Sequence, residues 1–163
     1  MKARDLMTAS PVCITPDDPA ERVAQLMADN DCGCIPVVAG RDDSTVIGVV
    51  TDRDLALRGL ARGRGPETPV RELMTSDPCC CSPDADIHDV EQLMADRKLR
   101  RIVIADAAGR CLGMVSQADL ARAADRGRGV SEREVARVVE SISEPSGASP
   151  RTVDRAGSTE LQF

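Results

Sequence analysis

The chain repeats itself, and that repeat limits what it can fold into. Ala3–Thr8 (ARDLMT) returns as Val70–Thr75 (VRELMT), 67 positions later. The same spacing aligns Pro11 with Pro78, Cys13 with Cys80, Pro16 with Pro83, and Val23–Asp29 (VAQLMAD) with Val90–Asp96 (VEQLMAD). Two residues drop out after Ala39, so Gly48–Asp54 (GVVTDRD) matches Gly113–Asp119 (GMVSQAD) at a spacing of 65. In 163 residues this makes two half-size units that must cover each other's apolar faces.

Each copy reads β-α-β-β-α. A short extended piece (Val12–Thr15; Cys79–Ser82) ends at Pro-Asp, where Asp18 and Asp84 are the expected helix caps and Pro19 suits a first helical position. Val23, Leu26 and Met27 form an apolar stripe at the helical period, matched by Ile87, Val90, Leu93 and Met94. Ile35–Val38 and Val46–Val50, like Ile102–Ala105 and Leu112–Val115, read as strands joined by polar turns. A last helix starts at Thr51 or Ser116. The reading is an α+β fold with repeats over 1–62 and 70–127 and a linker over 63–69, inside the Gly- and Pro-rich stretch Gly59–Pro69. Ser131 and Glu134 form a capping box for a C-terminal helix within 128–144, with Val135, Val138, Val139 and Ile142 on one face. The polar, Pro/Ser/Gly-rich stretch 145–163 is expected to be disordered.

Composition excludes several functions. With one Phe and no Trp or Tyr, the core is aliphatic and there is no platform for stacking single-stranded bases. A net charge of −6 opposes nonspecific binding to nucleic acid or to an anionic membrane. The apolar runs are too short to cross a bilayer, and no basic, apolar leader opens the chain, so a cytoplasmic protein is expected. Seven cysteines without secretory context read as reduced thiols. Cys79-Cys80-Cys81 point in alternating directions along a strand, and Cys32-x-Cys34 lacks zinc-knuckle spacing. Buried small hydrophobes, and no metal site, are the expectation.

The glycine motif carries the chemistry. Where a helix begins at Thr51 or Ser116, its first N–H groups favour a phosphate, and the hydroxyl adds a donor. Asp54 and Asp119 lie one turn on, as acceptors suited to ribose hydroxyls. Gly48 and Gly113 leave room for a ligand to approach the backbone. Ser/Thr-x-x-Asp also caps ordinary helices. Its recurrence after a glycine-bearing strand in both copies favours the ligand.

The doubled β-α-β-β-α unit, VRELMT, CIPVV, RRIVIAD and the two G-x-x-[TS]-x-x-D motifs resemble a tandem CBS-domain pair, the Bateman module, from Ala3 to about Arg126. The resemblance implies two sheets packed with pseudo-twofold symmetry around two clefts. Such clefts bind adenosine-containing ligands: AMP, ADP, ATP, NAD or S-adenosylmethionine. It places Thr51 and Ser116 on phosphate and Asp54 and Asp119 on ribose. Arg100 and Arg101 occupy positions of phosphate ligands. Their counterparts in the first copy are Gly33 and Cys34, and Arg53 stands in for them. Ile35-Pro36-Val37 fits the family pattern, whereas Ile102-Val103-Ile104 lacks the proline.

The expected function is a regulatory module that binds an adenine nucleotide, needs no obligatory cofactor, and signals to a separate, unknown effector protein. A homodimer is expected through helix faces carrying Leu26, Met27, Leu93 and Met94. The alternatives are a cysteine-based redox or metal sensor, with Cys13 near Cys32 and Cys34, and a ligand-free interaction module. An enzyme is not expected: His88, the single histidine, aligns with Glu21 on a polar helix flank, and no nucleophile stands in register with it.

Overall fold

The computed structural model describes residues 1–127 and 129–143. The tail expected over 145–163 lies outside them. The helices are α1 (Ala20–Asp29), α2 (Asp52–Asp54), α3 (Ile87–Asp96), α4 (Gln117–Asp125) and α5 (Glu132–Ser143). The strands are β1 (Thr8–Ala9), β2 (Cys34–Val38), β3 (Val46–Thr51), β4 (Thr75–Ser76), β5 (Cys80–Cys81), β6 (Arg101–Ala105) and β7 (Cys111–Ser116). They form two sheets, in the orders β1-β7-β6-β5 and β2-β3-β4. The fold is the expected α+β pair of tandem repeats packed with pseudo-twofold symmetry. Even the irregularities repeat: β2–β3 shifts register between Val37 and Val38, and β6–β7 shifts at the equivalent Ile104 and Ala105.

The opening segment of each copy crosses to the sheet of the other. β1 lies against β7, with Thr8 opposite Met114 and Ala9 opposite Gly113, while β4 lies against β3, with Thr75 opposite Val49 and Ser76 opposite Gly48. This exchange explains the two glycines. A Cβ on Gly113 would stand 2.5 Å from Met7 Sδ and 2.9 Å from the Thr8 carbonyl oxygen. One on Gly48 would stand 2.8 Å from Met74 Sδ and 3.0 Å from the Thr75 oxygen. The space expected for a ligand at these glycines is filled by the crossing segment.

Proline accounts for a difference between the copies. Where the second copy has strand β5, parallel to β6 through Cys80 and Cys81, the first has a single bridge between Ile14 and Val37. The Ile14 N–H donates to the Pro36 oxygen and the Val38 N–H to the Ile14 oxygen. Pro36 has no N–H to extend the pairing, whereas Val103 at the same position has one. The stretch Val12–Thr15, expected as a strand, therefore pairs at one residue.

Three helix starts differ from expectation. α1 begins after Pro19, which acts as its cap without a side-chain bond. Asp18 instead accepts from the N–H and hydroxyl of Thr15 at 2.8 and 2.7 Å. α3 is capped by Asp86, which accepts from the His88 N–H at 3.1 Å, and Asp84 pairs with Arg4. The helix expected from Thr51 keeps only three α residues before a π turn at Leu55–Gly59 and a 3-10 turn at Leu60–Arg62. There Gly59 adopts φ −91° and ψ −92°, and Arg58 donates to the carbonyls of Leu73 and Met74. α5 starts as expected: the Ser131 hydroxyl donates to Glu134 and accepts the Glu134 N–H.

The core is aliphatic and shared. Val70 and Leu73, from the start of the second copy, are fully buried with Val23, Ile35, Val37 and Val50 of the first. Ala3 is buried in the second-copy core beside Ile87, Val90 and Leu120, which α5 closes with Val138 and Ile142. Cys34, Val103 and Met114 are buried where the two sheets meet. Met27 and Met94 lie inside these cores, and Leu26 and Leu93 pack against them half-buried. Among the described residues the exposed large hydrophobes are Leu57 and Leu60.

Candidate functional site

A cleft of about 1100 Å³ opens between the copies, and both glycine motifs reach it. Antiparallel pairing fixes the geometry. Thr51 lies opposite Cys34 on β2–β3, and Ser116 lies opposite Arg101 on β6–β7. Thr51, Arg53, Asp54, Arg100, Arg101 and Ser116 all line this space. Asp119 does not line it and is 9% exposed.

Both motifs are complete capping boxes. The Thr51 hydroxyl donates to Asp54 Oδ2 at 2.7 Å and accepts the Asp54 N–H at 3.1 Å. The Ser116 hydroxyl donates to Asp119 Oδ2 at 2.6 Å and accepts the Asp119 N–H at 3.2 Å. The second carboxylate oxygens face arginines: Arg58 Nε is 3.4 Å from Asp54 Oδ1, and Arg122 donates to Asp119 Oδ1 at 2.5 Å. The first helical amides are engaged as well, with the Gln117 N–H donated to the Arg100 carbonyl and that of Asp52 to the Gly33 carbonyl. Hydroxyls, carboxylates and amides thus hold their own helix starts. Apart from these helix starts, the cleft presents mainly cationic side chains.

Those cations are concentrated here. Arg53, Arg97, Lys98, Arg100 and Arg101 line the cleft, opposed by Asp52, Asp54 and Asp77, in a chain whose net charge is −6. Arg97 and Lys98 were missed from sequence, yet the alignment held the signal. Arg97–Arg101 reads RKLRR, against NDCGC at Asn30–Cys34 in the first copy. The two loops share their shape: Asp31 and Lys98 both adopt positive φ, 47° and 53°. Charge alone separates them. Arg101 also reaches across, its Nη2 standing 3.6 Å from where a Cβ on Gly33 would be; that Cβ would stand 2.7 Å from Asp52 Oδ2, so the bare Gly33 makes room for the Asp52 carboxylate beside the guanidinium of the second copy.

All seven cysteines are free thiols. Burial pushes Cys34, at the cleft floor, up to about 11. The Cys13 thiol donates to the Pro11 carbonyl at 3.4 Å. Its neighbour in the electrostatics is Cys111, not Cys32 or Cys34: Cys111 holds Cys13 below the ordinary thiol value, and Cys13 pushes Cys111 above it. Among the described residues no helix is long and apolar enough to cross a membrane.

The CBS domain is matched twice along the chain, over residues 3–59 and 70–126. The CBS domain-containing protein YhcV of Bacillus subtilis is 36% identical over 118 residues, 72% of this chain and 81% of its own length. Hypoxic response protein 1 of Mycobacterium tuberculosis is 32% identical over 121 residues, 74% and 82% of the respective chains. A crystal structure of hypoxic response protein I with two coordinated zinc ions superposes at a TM-score of 0.67, covering 75% of this chain and 98% of that one. CBSX2 of Arabidopsis thaliana, solved in complex with AMP, superposes at 0.68 with 24% identity, a likeness of fold, covering 78% and 98%.

Proposed function

The chain belongs to the CBS-domain family, and from that premise we propose a regulatory, non-catalytic module whose inter-repeat cleft binds an adenosine-containing ligand. The ligand is AMP, ADP or ATP, with NAD and S-adenosylmethionine as relatives of the same class. One observation carries this reading: an acidic chain gathers five cationic side chains on the cleft that both hydroxyl–carboxylate motifs reach. Such a cleft focuses field lines on an anion. Guanidinium–phosphate bonds are charge-assisted and can be bidentate, which suits Arg100, Arg101 and Arg53. Thr51 and Ser116 turn their hydroxyls from the carboxylates to phosphate and Asp54 meets the ribose, while Asp119, which does not line the cleft, holds the Ser116 helix start. Relatives solved with AMP support the ligand class only through the shared fold. Seven free thiols suit a reducing, cytoplasmic setting.

Thermal melting with AMP, ADP, ATP, NAD and S-adenosylmethionine tests this. A ligand at 100 times its Kd stabilises by about 2.7 kcal/mol, which for a chain of this size raises Tm by roughly 5–10 °C. No response to any of the five leaves a ligand-free interaction module.

The module reports occupancy to a separate effector protein, and it does so as a homodimer. Leu57 and Leu60, 49% and 78% exposed, stand on the turns after α2. α5 covers α3 and α4, and among the described residues no helix covers this segment in the same way. Light scattering is expected to give twice the chain mass, falling to the monomer in Leu57→Glu with Leu60→Glu. A monomeric parent protein contradicts the dimer.

The lowered Cys13 thiol, with Cys111 of the other copy as the cause, favours a second reading, a thiol sensor linking the two copies. Alkylation of the native protein is expected to reach Cys13 well before buried Cys34. Equal rates at both sites rule out a selectively activated thiol.

A further inference from the structure

We propose that His88, Glu91 and Glu134 form a site for a divalent transition-metal ion between α3 and α5. His88 and Glu91 lie one turn apart on α3, and Glu134 sits in the first turn of α5. One ligand atom from each lies within 4.8 Å of the others. His88 Nδ1 is 3.1 Å from Glu91 Oε2, and Nε2 is 3.1 Å from Glu134 Oε1. The two carboxylates face different ring nitrogens and only one nitrogen can ligate the ion, so rotation of the exposed His88 and Glu134 must bring three donors that now lie within 4.8 Å of one another onto one four-coordinate ion at about 2.0–2.2 Å.

Glu91 supplies the independent observation. It is 4% exposed, and its Oε1 has no hydrogen-bond partner among the described residues. A buried carboxylate oxygen is costly unless a donor or a cation meets it. Packing does not call for a glutamate here, since the aligned residue of the first copy is Ala24, exposed on α1. The second copy places an acid at this position and lays α5 over it. Glu134 is prepared in the same way: its Oε2 is held by the hydroxyl and N–H of Ser131, which leaves Oε1 facing the imidazole. His88, expected from sequence as an ordinary surface histidine, is the solvent-open side of the cluster.

One imidazole with two carboxylates selects the zinc, cobalt and manganese class over magnesium or calcium, which prefer oxygen alone. Water completes the coordination where His88 is exposed. An ion here fastens the first turn of α5 to α3. Ile142 and Ser143, at the far end of α5, border the ligand cleft, so the ion stiffens one wall of that cleft.

Titration of the full chain with Co²⁺, read by visible absorption and calorimetry, separates this cluster from the cysteines. The expected result is one Co²⁺ per chain, with the bands of a nitrogen–oxygen site and without thiolate charge transfer. Affinity is expected to fall at least about tenfold in His88→Gln, Glu91→Gln and Glu134→Gln. Glutamine at 134 keeps the capping box, so lost folding does not account for a loss there. Hydrogen exchange along α5 is expected to slow on adding Co²⁺ to the parent protein but not to Glu134→Gln. No stoichiometric uptake, thiolate bands, or uptake unchanged by all three substitutions overturns the site.

Discussion

Gly113→Ala is expected to destabilise the fold by about 1–3 kcal/mol, the range for forcing an extra carbon into a packed interior. The new Cβ meets Met7 Sδ at 2.5 Å, Met7 Cγ at 2.8 Å and the Thr8 oxygen at 2.9 Å. The thioether can rotate away, but the carbonyl belongs to the strand β1 paired with β7. Met7→Ala in the same chain therefore restores part of the loss and leaves the backbone contact. Gly48→Ala is expected to cost less, because its contacts with Met74 and Thr75 are longer, at 2.8 and 3.0 Å. Chemical denaturation of the three variants measures this ordering. An undisturbed Gly113→Ala protein contradicts the exchange of opening segments between the sheets.

Arg100→Ala combined with Arg101→Ala is expected to weaken ATP or ADP about ten- to a hundredfold, since hydrogen bonds to a charged group contribute roughly 1.5–3 kcal/mol. Adenosine, with no phosphate, is expected to lose little. Both arginines line the cleft, and Arg101 reaches as far as Gly33 of the first copy, so the loss spreads over the whole cleft. Asp119→Ala and Asp54→Ala act differently. Each removes a capping box and an arginine contact, and Asp54→Ala the proposed ribose contact as well, so each lowers stability by about 0.5–2 kcal/mol. Calorimetry on the double arginine variant, which leaves both caps intact, separates the ligand effect from the structural one. Equal losses for ATP and adenosine contradict phosphate recognition by these arginines.

The repeat, the helix periods and the paired strands were legible because each depends on local pattern: Val90, Leu93 and Met94 at helical spacing, and Ile102–Ala105 as an apolar run. The crossing of β1 and β4 was not, since two-residue strands carry no period and their partners lie more than a hundred and about 27 positions away respectively. For the same reason Gly48 and Gly113 read as room for a ligand when the space belongs to Met74 and Met7. Cap positions slipped by one or two residues because acids stand at several spacings before each helix: Asp18 turns back to Thr15 ahead of α1, and Asp86 instead of Asp84 meets the His88 N–H of α3. In the site, Thr51, Arg53, Asp54, Arg100, Arg101 and Ser116 were named from the sequence and the structure brings them to one cleft. The engagement of Asp54 and Asp119 by Arg58 and Arg122 was hidden, although the i,i+4 and i,i+3 spacings were visible. Glu91 drew no notice because its burial depends on α5, which comes from outside both repeats.

Adenine-nucleotide binding in the inter-repeat cleft is the central claim, and titrating AMP into the purified chain by calorimetry tests it most directly. The account predicts saturable binding tighter than about 1 mM, retained by Glu134→Gln on α5 and weakened at least tenfold when Arg100 and Arg101 are both alanine. Absence of saturable heat for AMP, ADP and ATP alike in the folded protein would contradict it.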